Sequence, residues 1–132
     1  MPISSKKEEQ PKNYFKPKEL QCKFTGDSGF DDGFLATLNA IREDCGFPFA
    51  LSSAYRSPLH PIEARKNTAG SHTTGKAVDI LCNGERALEV IRVAQKHGIK
   101  RIGLQQKGGG RFIHIDACTK EEGFTSPAIW TY

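Results

Sequence analysis

Hydrophobic and polar positions alternate along this chain in segments that predict a handful of elements. Phe34, Leu38, Ile41 and Cys45 recur at helical spacing behind Asp31 or Asp32, either of which can cap a helix, and Gly46 stops it ahead of Pro48. "FALSSAYR" alternates from Phe49, with Phe49, Leu51, Ser53 and Tyr55 on one face, and predicts a strand ending at Arg56. Ser57 to Gly75 is too rich in Pro, Asn, Thr and Gly for regular structure and reads as a long loop, a feature that compact domains often reserve for function. A strand from Ala77 to Cys82 follows. Asn83 or Gly84 then leads into a helix with Leu88, Ile91 and Ala94 inward and Gly98 past its end. Two short strands, "RIGL" and "RFIHIDA", are joined by "QQKGGG". This order of strands and helices predicts a small α+β domain, a central, mainly antiparallel sheet flanked by helices.

Composition narrows the class without changing this picture. The 132 residues, 37% hydrophobic and 26% charged, suit one globular domain. "MPISSKKEEQPK" is polar and broken by proline, so residues 1–13 are expected to be a flexible tail ahead of a domain spanning 14–132. No apolar stretch approaches the roughly 20 residues that cross a bilayer, and no export signal is visible, so membrane insertion is not expected. A net charge of +4 with interspersed acids does not indicate nucleic-acid binding, although weak attraction to anionic polymers fits it. Cys22, Cys45, Cys82 and Cys118 form no CxxC pair and are expected to be reduced thiols, most of them buried.

The chemistry lies in two strands. Alternation puts Ala77, Asp79 and Leu81 on one face and Val78, Ile80 and Cys82 on the other; it likewise sets Phe112, His114 and Asp116 opposite Ile113 and Ile115. Burying an unpaired carboxylate costs several kcal/mol, and a divalent cation is among the partners that offset this. His72, Asp79 and His114 supply two imidazoles and a carboxylate, a donor set that suits one zinc ion and leaves a fourth position for water. Each residue alone has an ordinary reading, the histidine as a surface residue and the aspartate as a partner of backbone amides. The combination is what points to a metal. His97, just before Gly98 at a helix end, reads as structural, while His60 stays open between an ordinary loop residue and a neighbour of the site.

"SAYRSP", "GSHTTGKAVDI" and "FIHIDA" together resemble the zinc D-alanyl-D-alanine carboxypeptidases and L-alanyl-D-glutamate endopeptidases, cell-wall peptidases that share a fold with lysostaphin-type enzymes and the hedgehog domain. The resemblance runs from about Phe15 to Tyr132, and the closing "PAIWTY" is similar to small phage or bacterial members. It implies zinc on His72, Asp79 and His114, and a substrate carbonyl or carboxylate bound by Arg56, whose alternative is a surface ion pair. Tyr55 and Ser71, beside these motifs, are further candidates for substrate contact; Ser71 could equally shape its turn.

One position departs from the family pattern. Many members carry an acid as general base three residues before the last histidine, where this chain has Arg111. Asp116 is the nearest acid on the same strand face, open to two roles: general base, or partner that orients a ligand histidine. The implied activity is zinc-dependent hydrolysis of an amide bond in a peptidoglycan stem peptide, by a monomer made in the cytoplasm and acting on the bacterial wall, as a phage lysis protein or virion component. The rival is a zinc-containing hedgehog-like binding module without turnover, which Arg111 keeps open.

Overall fold

The computed structural model describes residues 12–66 and 70–132. The expected tail lies outside the described residues up to position 11. Among the described residues there are four helices, α1 (Pro17–Leu20), α2 (Asp32–Cys45), α3 (Pro61–Ala64) and α4 (Gly84–Lys96), a 3₁₀ turn at Ser71–Thr74, and five strands, β1 (Ala50–Ser53), β2 (Ala77–Leu81), β3 (Arg101–Gln105), β4 (Phe112–Asp116) and β5 (Ala128–Thr131). The strands form one sheet in the order β1-β2-β4-β3-β5, antiparallel except for the parallel β3–β5 pair. The small α+β architecture is the expected one.

Local chemistry explains the main helices. The Asp31 side chain accepts a hydrogen bond from the Phe34 N–H at 2.8 Å, capping α2, and Gly46 ends it in the left-handed region at φ 78°. Phe34, Leu38 and Ile41 are buried, as the spacing predicts. In α4 the inward stripe is Ala87, Val90, Val93 and Ala94, while Leu88 is 70% exposed. The expected inward placement of Leu88 is therefore corrected: packing against α2 and β4 buries the stripe one position away, and single-sequence periodicity does not resolve that rotation.

The core fills one side of the sheet. Val78, Ile80, Ile113, Ile115 and Ile102 pack against Leu38, Ile41, Val90 and Val93, and most are fully buried. Each such aliphatic side chain contributes about 1.5–3 kcal/mol by leaving water. The opposite face, free of this demand, carries the polar residues.

Two further expectations change. The segment read as an irregular loop from Ser57 to Gly75 contains α3 and the 3₁₀ turn, both too short to leave a periodic signal; residues 67–69 within it lie outside the described residues. β1 ends at Ser53, and a bulge between Leu51 and Ser53 breaks the expected one-face alternation. Leu51 pairs with Ile80 on the core face, whereas the extra residue re-aims Ser53 opposite Asp79. Tyr55 lies beyond the strand, and β5 was not foreseen.

Candidate metal centre

Strand register lines up the polar face. Ser53 pairs with Asp79, Asp79 with His114, His114 with Gly103, and Gly103 with Trp130, a single row across all five strands. The adjacent row on the same face joins Ala77, Asp116, Arg101 and Ala128. His72 reaches the row from the 3₁₀ turn before β2. One potential ligand atom from each of His72, Asp79 and His114 lies within 4.8 Å of the others, and all three residues are buried.

The turn that carries His72 follows from its sequence. Thr73 and Thr74 donate their hydroxyls to the Gly70 and Ser71 carbonyls at 2.6 and 2.7 Å, closing the turn on itself. Gly75 leaves it at φ 76°, and a side chain there would also collide with the Gly29 carbonyl oxygen, so the motif glycine answers both to backbone conformation and to close approach. Ala77 is fully buried and pairs with Asp116 across the sheet.

Both histidines are held from behind. His72 donates its Nδ1–H to the Ala54 carbonyl at 2.8 Å, and His114 donates its Nε2–H to Asp116 Oδ2 at 2.6 Å. A carbonyl can only accept, so the His72 proton sits on Nδ1. Asp116 is held ionised: burial alone would raise its pKa, but the His114 hydrogen bond and charge and Arg101 outweigh burial and lower it. Hence in the neutral rings the inner nitrogens, His72 Nε2 and His114 Nδ1, present lone pairs to Asp79 Oδ1 at 3.4 and 2.8 Å.

Three electron-pair donors converging in a buried site require a cation between them. Without a metal, protons must serve. Burial disfavours an imidazolium at His114, yet the hydrogen bonds and charges of Asp116 and Asp79 overcome it and raise the pKa. Asp79 is correspondingly pushed well below the usual carboxylate range, with burial opposing and the two histidines prevailing. The nitrogen and oxygen donors, each oriented by an outer partner, fit a zinc ion.

Arg101 completes the support of Asp116. Its Nε donates to Asp116 Oδ1 at 2.7 Å, its Nη1 to the Thr125 carbonyl at 2.6 Å, and its guanidinium lies over the Trp130 and Phe124 rings. The Cys118 N–H also donates to Asp116 Oδ1, at 3.0 Å, so both oxygens of this carboxylate are engaged and its side chain is 0% exposed. Trp130 packs against the His114 ring at 5.2 Å between centroids, in space that exists because position 103 is glycine.

The other sequence candidates take varied places. Arg56 is 16% exposed and donates from Nη1 to Glu63 Oε2 and from Nη2 to Ser53 Oγ, both at 3.0 Å. Ser71 Oγ lies 3.5 Å from His114 Nε2, and the Tyr55 ring packs over Gly29. His60 caps α3 through Nδ1 and stacks near Phe24, apart from the ligand cluster, while His97 Nε2 meets Asp44 Oδ2 at 2.6 Å at the end of α4. All four cysteines are free, Cys22 and Cys118 buried and Cys45 and Cys82 partly so. Glu63, Arg101, Gly103 and Trp130 were not read from the sequence: the partners of the last three are distant along the chain, and those of Glu63, though three to seven residues away, meet it in a segment with no periodic pattern to mark them.

The protein-family model described as Peptidase M15 matches residues 13–116, most of the described domain and every member of the His-Asp-His cluster. The chain belongs to the M15 peptidase family. That family is the zinc peptidase family of D-Ala-D-Ala carboxypeptidase type. No curated protein and no solved structure gives a match. The M15 match accounts for the constellation as a whole, since M15 peptidases are zinc-dependent and this one assembles a donor set of that kind. Among the described residues, no helix of this M15 peptidase is long and apolar enough to cross a membrane.

Proposed function

We propose that this M15 peptidase hydrolyses an amide bond in peptidoglycan stem peptides, as a D-Ala-D-Ala carboxypeptidase or an L-Ala-D-Glu-type endopeptidase, with one zinc held by His72, Asp79 and His114. The observation that carries this reading is the convergence of three lone-pair donors whose outer atoms are already fixed. Zinc bound there polarises a carbonyl and acidifies water.

The chain's own residues do the rest. Asp116 holds the proton on His114 Nε2 and so keeps Nδ1 available; of the two roles open to it, this positioning role is favoured because both its oxygens are occupied. Arg56 has two of its five N–H donors committed to Glu63 and Ser53 and directs the remainder of its fork at the substrate carbonyl or terminal carboxylate. Ser71, at the rim of the ligand cluster, and Tyr55, on the segment leading to Arg56, are assigned to contact with the peptide. The same reading takes the protein to act as a monomer. The bacterial cell wall is then the place of action, and a role in phage lysis or in a virion rests on the resemblance of the closing "PAIWTY".

A second reading, a zinc-holding module that binds without turnover, is favoured by Arg111 at the position of the usual acid and by the full engagement of Asp116. Purified protein incubated with defined muropeptides, with added zinc and with chelator, separates the readings by mass spectrometry. Loss of a terminal alanine identifies the carboxypeptidase, and release of the stem peptide after its first L-Ala the endopeptidase. Intact muropeptides with one zinc bound select the binding module.

A further inference from the structure

Glu63 is a buried carboxylate whose neighbours join the two halves of the site. Its side chain is 1% exposed, on a helix of a single turn, where an ionised group must be fully partnered to persist. Oε2 accepts from Arg56 Nη1 and from Lys66 Nζ, each at 3.0 Å, and Oε1 accepts from the Gly70 N–H at 3.0 Å. Burial raises its pKa, but Lys66, the Gly70 amide and Arg56 together outweigh this and keep the carboxyl ionised.

The two ends of this link are functional neighbours. Gly70 is the residue from which the 3₁₀ turn of Ser71 and His72 begins, and a Cβ there would lie 2.6 Å from Lys66 Nζ and 3.0 Å from Glu63 Oε1. Its lack of a side chain is what lets the carboxylate approach. The Arg56 backbone N–H donates to the His72 carbonyl at 3.1 Å, and Arg56 Nη2 donates to Ser53, which faces Asp79 across the sheet. An arginine fork fixed at both terminal nitrogens has its plane set, whereas one held at a single nitrogen turns about its long stem. A loop staple alone would need Gly70 and Lys66 but would not need Arg56.

We propose that Glu63 is a positioning residue: it sets the plane of the Arg56 guanidinium and, through Gly70, ties that plane to the turn carrying His72, so that the substrate-binding fork and the metal keep a constant separation. The assignment of Arg56 to substrate rests on the proposed function; its immobilisation by Glu63 does not.

Two readouts test it on the full chain. In ¹⁵N-labelled protein, the Arg56 guanidinium should show restricted rotation, with resolved Nη–H signals identified by their loss in Arg56→Lys, and Glu63→Gln should collapse them to one averaged signal. With muropeptides, Glu63→Gln should retain one zinc while kcat/KM falls roughly 10- to 100-fold, the range expected when a supporting partner is removed. Combined with Arg56→Ala, it should add little to the loss from Arg56→Ala alone. Glu63→Asp, which keeps the charge and shortens the reach, should fall between and serves if the Gln variant does not fold. Unchanged Arg56 signals in the Glu63 variants, or losses that multiply independently with Arg56→Ala, would overturn the proposal. Absence of hydrolysis in the parent protein together with collapse of the Arg56 signals would instead reject the peptidase reading and leave the positioning role standing.

Discussion

His114 and Asp116, on the same face of β4, are joined through Nε2 and Oδ2 at 2.6 Å, and that bond aims the other ring nitrogen at Asp79. The same bond engages one oxygen of the Asp116 carboxylate. Arg101 and the Cys118 amide fix it in turn, so the ligand geometry is supported from the sheet rather than from the loops.

Removing a donor from the cluster should remove the metal. His72→Ala, Asp79→Ala and His114→Ala are each expected to abolish stoichiometric zinc, read by elemental analysis after gel filtration, because two remaining ligands do not hold it. Retention of one zinc per chain by any of the three would exclude that residue as a ligand.

Asp116→Asn separates orientation from proton transfer. The expected outcome is zinc affinity lowered roughly 10- to 100-fold, with hydrolysis largely recovered when zinc is supplied in excess. Hydrolysis that stays lost at saturating zinc would instead make Asp116 the general base.

Gly103→Ala tests the packing behind His114. The new Cβ would lie 2.6 Å from Trp130 Nε1 and 2.7 Å from Cε2, on a rigid indole lodged between Arg101 and His114. The substitution should destabilise the fold by about 1–3 kcal/mol in denaturant titration, the usual cost of overpacking. A loss under ~0.5 kcal/mol, the scale of an ordinary surface change, would show that the indole has room to move.

The pH dependence of stability should differ with and without metal. In chelated protein His114 has a raised pKa, so its ion pairs stabilise fully below the unfolded histidine value of ~6.5 and are lost as pH rises through the folded value. Asp79 and Asp116 have lowered values, so their contribution is present above ~4 and lost only as pH falls through the folded values. Zinc binding strengthens over the upper range, where protons no longer compete for the ring nitrogens. The Tm difference between zinc-loaded and chelated protein should widen from about pH 6 upward in thermal scans. A constant or narrowing gap would contradict proton competition at this site.

Much of the site was readable from local order. Residues two apart on a strand share a face, so Asp79, His114 and Asp116 could be set opposite the isoleucine core before any pairing was known, and the Asp31 cap and Gly46 stop mark α2 through chemistry confined to one or two turns. The donor set itself, His72 with Asp79 and His114, follows from residue type and spacing. Register is another matter, since it joins strands far apart in the chain. Only the assembled sheet puts Ser53, Asp79, His114, Gly103 and Trp130 in one row, through a bulge in β1 and a parallel fifth strand that no local pattern announced. The same holds for Leu88, turned outward by packing, and for α3, a single turn too short for periodicity. The two roles of Asp116 and the task of Glu63 depend on which partners occupy each oxygen, and those partners, Arg101 and Gly70 among them, meet only when the chain is folded.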